Sequence, residues 1–257
     1  MIPALLASYA LVPGGLMHTS CVHPVPASGA ITPTPCAHPF LRHSNLSHGS
    51  AWKAWAQVGS AGGGSSVSAL NSTWVVPGEP QNPSSQTLFF WNGMEPADTS
   101  AVLQPVLQWG QSAAGGAQFW AVASWYVSAT HGSHFSPLVR AAPGDVVTGT
   151  NVLLPDGATW AISASVPSAP ASTLTFAPAE ASWPTAYHVL EAYGVDSDCS
   201  LYPVAGAVNF TVTGLAFGGN AAPSPIAWKF FTQTAGCGEA ASASNGGKQV
   251  EISFRTQ

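Results

Sequence analysis

Charge is what this sequence has least of. Lys, Arg, Asp and Glu make up 7% of its 257 residues, against about a quarter in an average soluble domain. Six basic residues and a net charge of −5 leave no basic patch to neutralise phosphates, which argues against nucleic-acid binding. No Lys/Arg-rich amphipathic segment marks a membrane surface. No apolar run reaches the roughly 18 residues that cross a bilayer as a helix. A helical apolar stripe of useful length is missing too. So are several compact signatures: there is no G-x-S-x-G elbow, no HExxH, no glycine-rich phosphate loop before a helix and no EF-hand loop. No cofactor and no metal are implied.

What is present is apolar and aromatic. Ten Trp and eleven Phe require a core, so the low charge does not signal disorder. Turn signals recur at short intervals, among them "GSAGGGSS", "PGEPQNPSS", "GQSAAGG", "APGD", "PDG", "PSAPAS" and "SNGG". Between them lie runs rich in Val, Thr, Trp, Phe and Tyr, such as "SVSALNSTWVV", "QTLFFWNGM", "VLQPVLQWG", "QFWAVASWYV", "AYHVLEAYGV" and "AVNFTVTGLAF". Strands at this spacing predict an all-β sandwich of antiparallel sheets over residues 51–257. Residues 1–20 have the apolar stretch of a signal peptide without its basic start. Residues 21–50, rich in Pro and His, read as an extended arm.

Four cysteines, Cys21, Cys36, Cys199 and Cys237, suit two disulfides in an oxidising compartment. Three pairings exist; Cys21–Cys36 with Cys199–Cys237 is the expected one, each closing a local segment. The rival reading gives zinc to Cys21, His23, Cys36 and His38, against ordinary ligand spacing. His131 and His134 in "THGSH" read as a polar hairpin tip rather than metal ligands. Sequons stand at Asn45, Asn71 and Asn209, acceptors for glycans only on a eukaryotic secretory route.

Most acids sit in turn contexts, where they bond to nearby backbone. Glu191 lies instead inside "AYHVLEAYGV", where an unpaired buried carboxylate is expensive. Facing inward, its pKa rises and it becomes a candidate general base or acid; facing water, it is an edge-strand carboxylate. His188, three residues earlier, faces the opposite side of a regular strand. In "AVLQPVLQWG", Val102, Gln104, Val106 and Gln108 share one face. Two amides on an apolar strand suit donors aimed at a ligand, or a buried ladder satisfying its own neighbours.

Two of these segments together resemble one family. "SAVLQPVLQWG" followed by "QFWAVASWYV" looks like the paired strands of the eqolisin glutamic peptidases, and "TAYHVLEAYGV" is similar to their downstream glutamate strand. "SAWKAWAQVG", "VSALNSTWVVPG", "FFWNGME" and "VRAAPGDVVTGTNVL" resemble further family segments in the same order, over about residues 50–215. The resemblance implies a concanavalin-like, jelly-roll double sheet and a metal-independent acid endopeptidase. It places Glu191 as the catalytic glutamate, which deprotonates the attacking water, and Gln104 as the glutamine that holds water and oxyanion. Glu95 falls at an acid near the site and Trp52 near an early tryptophan. The sequence departs from the pattern at Gln108, at Ala123 or Ser124, and near Tyr187, where the family carries acids.

The expected function is therefore a secreted, monomeric glutamic-peptidase-like hydrolase acting on polypeptide, with Glu191 and Gln104 catalytic. Gln108, Glu95, Trp52, Trp120 and Ser124 are expected to bind substrate. The alternative is a non-catalytic module binding glycans or a cell-wall polymer on its aromatic, amide-rich face.

Overall fold

A computed structural model describes residues 8–26, 31, 33–42, 51–60, 65–233 and 236–257. The architecture is the expected jelly-roll-like sandwich, and nearly all of its regular secondary structure is strand. A nine-stranded sheet runs, edge to edge, through Lys229–Thr232, Ala51–Gly59, Thr185–Tyr193, Thr87–Glu95, Ala101–Trp109, Trp120–Ser128, Gly132–Phe135 and Val22–Pro24, with Val139–Arg140 also paired to Trp120–Ser128. An eight-stranded sheet packs behind it, ordered Ser172–Phe176, Trp160–Ser165, Val146–Leu153, Val67–Val75, Ala207–Phe217, Gln249–Ser253 and Ala240–Ser244, with Asn220–Ala221 alongside. The six apolar runs quoted above all became strands of these two sheets.

The faces follow from the two-residue period. On the Ala101–Trp109 strand, Leu103, Leu107 and Trp109 point into the core between the sheets. Val102 and Val106 belong to a second apolar cluster on the opposite face, with Phe89, Trp91, Trp125, Tyr187 and Val189. Burying a Leu or Phe in either layer is worth about 1.5–3 kcal/mol, so both faces resist a register slip. Strands apolar on both sides need cover on both sides, and here the second cover comes from the N-terminus.

Residues Tyr9–Val12 and Gly15–His18 form a hairpin, joined by Leu41–Arg42 into a small sheet. Val12 and Met17 of this hairpin are buried in the second cluster. The turn needs glycine: Gly14 has φ 94°, and a Cβ on Gly15 would lie 2.2 Å from the Leu41 carbonyl oxygen. Farther on, Val22–Pro24 adds a parallel edge strand beside Gly132–Phe135. Where described, residues 8–26 thus fold onto the large sheet, with the extended arm held by the Cys21–Cys36 disulfide.

Both expected disulfides are present, Cys21–Cys36 and Cys199–Cys237. The first removes the zinc reading, because both thiolates are consumed. Among the described residues no three His, Cys, Asp or Glu side chains form a metal-binding group. His131 lies in the turn before Gly132–Phe135, whereas His134 is buried within that strand opposite Tyr126, its Nε2 3.3 Å from the His131 carbonyl oxygen.

Candidate active site

Strand register fixes which side chains meet on the face of the large sheet beneath the hairpin. One row runs Tyr187, Gly93, Gln104, Trp125 across four strands. A second runs Glu191, Phe89, Gln108, Ala121. Glu191 and Gln104 therefore share the face, as the sequence implied, but stand two strands and four positions apart. At about 3.3 Å per residue and 4.8 Å per strand, that is roughly 16 Å between Cα atoms. Glu95 is nearer to Gln104. It sits on the adjacent strand, one step along from Gly93, a diagonal of about 7–8 Å that long side chains bridge.

Glu191 is fully buried and fully bonded. Its Oε1 accepts the Gly14 backbone N–H at 2.6 Å and the Tyr193 hydroxyl at 2.5 Å. Its Oε2 accepts the Trp91 indole N–H at 3.2 Å. Burial pushes the carboxyl from 4.5 up to about 7, against the pull of those three donors. Glu95 is also buried and also raised to about 7 by burial, opposed by the Arg42 charge and a hydrogen bond from Tyr187. A cleft beside it is lined by Trp52, Trp91 and Val102 of the sheet and by Pro13, Gly14 and Arg42 of the N-terminal segment.

The two glutamines of the opening strand have separate roles. The Gln108 amide is occupied: Nε2 donates to the Gly110 and Gly115 carbonyls at 2.7 and 2.9 Å, and Oε1 accepts from Ser112 at 2.8 Å. It ties down the turn after its strand, so its expected part in substrate binding is corrected to a structural one. Gln104 is equally buried, yet neither its Nε2 nor its Oε1 has a hydrogen-bond partner. Pro105 follows it and has no N–H for the ladder. The pairing with Thr87–Glu95 keeps one register from Trp91↔Val106 to Met94↔Leu103, which sets Gly93 against Gln104.

Trp52 lies on the groove side, its ring 5.1 Å from Trp91, 5.3 Å from Tyr187 and 5.5 Å from Trp55. Trp120 and Ser124 do not. Trp120 packs on Phe90 and Trp109 inside the sandwich, and the Ser124 hydroxyl donates to the Ser172 carbonyl of the other sheet at 2.7 Å. Their strand is apolar on both faces, and the sequence did not mark which face was inner. His188 likewise faces the interior, 2.8 Å from the Ser72 hydroxyl, separated from Glu191 by the sheet. Asn209 is exposed, Asn71 half-buried with its carbonyl oxygen enclosed, and Asn45 lies outside the described residues.

Sequence reasoning missed the hairpin tip, Tyr193 and Trp91. A signal for the first was legible: "YALVPGGLMH" is two short apolar runs about a Pro-Gly-Gly turn, which suits a hairpin.

The fold is a glutamic-peptidase-like double-sheet scaffold. Two solved structures illustrate it. A scytalido-glutamic peptidase holding a peptide-based transition-state analog matches with a TM-score of 0.57 and 18% identity, over 80% of this chain and 98% of that one. SCP-B, a member of the eqolisin family in complex with the tripeptide Ala-Ile-His, matches with a TM-score of 0.54 and 18% identity over the same shares. No protein-family model matches the chain, and neither does any curated protein.

Proposed function

We propose that the protein is a secreted hydrolase of the glutamic-peptidase type, which lays an extended polypeptide along the concave sheet and cleaves it with a carboxyl-activated water. One observation carries this reading. The groove already holds polypeptide, with the Gly14 peptide N–H donated to the buried Glu191 carboxyl at 2.6 Å. A carboxyl that accepts a backbone N–H recognises what every peptide offers, whatever its side chains. The peptide ligands of the two solved peptidases point to the same use of this scaffold. The two disulfides favour an oxidising, extracellular setting.

Hydrolysis needs a base for the water and a donor for the developing oxyanion. Gln104 is the donor. Its amide is neutral at every pH, and loss of such a donor typically costs about 2.7–4 kcal/mol in barrier. The base is a buried glutamate of the same face, for which the sequence nominated Glu191. In the folded chain residues 9–18 cover this face, so the chain is latent until they leave. The test is peptide hydrolysis from pH 2 to 8, before and after cutting the folded chain at a protease site placed within 43–50. Cleavage that appears on cutting, and falls at least 100-fold in Gln104→Leu, is the expected result. A cut protein that cleaves nothing overturns the reading.

A glycan-binding reading rests on one feature. Phe231, partly exposed, stacks on Trp55 at 5.3 Å and 13° on the edge of the same sheet, a flat platform of the kind sugar rings favour. A glycan array without hits disposes of it.

A further inference from the structure

Resting on the hydrolase reading above, we infer that Glu95, and not Glu191, is the carboxyl that works with Gln104, while Glu191 anchors the substrate backbone. Position argues first. Glu95 and Gln104 are diagonal neighbours on adjacent strands, facing the same side across Gly93, which has no side chain to come between them. A Cβ at Gly93 would lie 2.5 Å from the Leu103 carbonyl oxygen and 3.1 Å from the Gln104 Cβ, so the gap admits glycine alone. Glu191 lies two rows away, and the amide in its own row, Gln108, is spent on the 110–115 turn.

Occupancy argues second. Both oxygens of Glu191 are taken by Gly14, Tyr193 and Trp91, leaving it set to grip a peptide N–H. Glu95 lines the cleft, and among the described residues Tyr187 is the side chain that hydrogen-bonds to it. Gln104, buried with both amide atoms unpartnered, supplies a donor and an acceptor beside it. Tyr187 from the next strand, Arg42 from the N-terminal segment and Asp98 from the following loop are the titratable groups that face Glu95.

The chemistry closes without a further reagent. The Glu95 carboxylate takes a proton from water as the water oxygen bonds to the scissile carbonyl carbon. The carbonyl electron pair moves to its oxygen, where the Gln104 Nε2–H stabilises the charge. On collapse that pair re-forms the carbonyl, the C–N bond breaks, and the Glu95 proton passes to the leaving nitrogen. The products are a carboxylic acid and an amine.

The experiment compares Glu95→Gln and Glu191→Gln in the full chain, cut within 43–50 after folding. Glu95→Gln is expected to lower kcat by about 10²–10⁴-fold with KM little changed. Glu191→Gln keeps an oxygen for the peptide N–H but not a carboxylate, so above pH 7, where the bond is charge-assisted, KM is expected to rise up to about tenfold, with kcat within a few-fold. Tyr187→Phe removes a bond that holds the Glu95 pKa down, so the ascending limb of kcat against pH should move to higher pH. If Glu95→Gln keeps its kcat while Glu191→Gln loses it, the assignment is overturned and the hydrolase reading stands. If the cut wild type cleaves nothing, both fall. Should Glu95→Gln fail to fold, an unmoved limb in Tyr187→Phe overturns the assignment by itself.

Discussion

The backbone N–H of Gly14 and the carboxyl of Glu191, 177 residues apart in sequence, meet at 2.6 Å on the outer face of the large sheet. This bond makes the N-terminal hairpin an internal ligand of the sheet. A substitution that removes the donor should therefore loosen the hairpin. Gly14→Pro has no N–H and cannot reach φ 94°, because its ring fixes φ near −65°. It should bind a fluorescent extended peptide more tightly than wild type, read by anisotropy. Equal affinity in the two proteins would mean that the hairpin does not compete for the groove.

The Glu191 proton links stability to pH. The unfolded chain releases it near 4.5, and the folded chain keeps it to about 7. Folding thus holds an extra proton between those values: the contribution is complete below pH 4.5 and is lost as pH rises to 7. The gap of 7 − 4.5 is worth about 3 kcal/mol at roughly 1.36 kcal/mol per unit. His188, buried and pushed down to about 3, acts in the opposite sense, losing stability as pH falls below about 6.5. The difference between wild type and Glu191→Gln isolates the glutamate. By urea unfolding it should shrink by about 3 kcal/mol from pH 4.5 to 7.5.

Gln104 and Gln108 should part company under the same substitution. Gln108→Leu strands two carbonyls and the Ser112 hydroxyl, three bonds at about 1 kcal/mol each, and should destabilise by about 3 kcal/mol. Gln104→Leu removes an amide that bonds to nothing in the fold, and should be neutral or stabilising. Denaturant midpoints of the two variants check this. Equal losses would mean that Gln104 belongs to the framework.

Gly93→Ala forces a methyl onto the Leu103 carbonyl and the Gln104 side chain. Overpacking of this kind costs about 1–3 kcal/mol, and here it also fills the space between Tyr187 and Gln104. The variant should melt lower and, once cut within 43–50, cleave peptide more slowly than its loss of stability explains. Matched melting and activity losses would leave Gly93 a packing residue only.

Much of this molecule was written in its alternation. The run "QTLFFWNGM" reads as a strand and is one, and Glu191 faces the groove because its strand keeps strict period two over an apolar core. The sidedness of Trp120 and Ser124 was not legible, since uncharged residues on both faces leave polarity silent about which is inner. Nor was the contrast between Gln104 and Gln108. They are alike in sequence context and differ only in a turn that folds back onto one of them. The hairpin was hidden by its own composition: an uncharged, apolar stretch such as "YALVPGGLMH" does not show from sequence which surface it covers.

The parallel strand Val22–Pro24 closes one rim of the large sheet and ends in a residue that offers no N–H outward. Whatever detaches the N-terminal segment also strips this guard from Gly132–Phe135 and bares a row of unpaired amides. A matured form of the chain would carry a sticky margin. Its colloidal behaviour, and not only its catalysis, would then depend on whether the first forty residues stay in place.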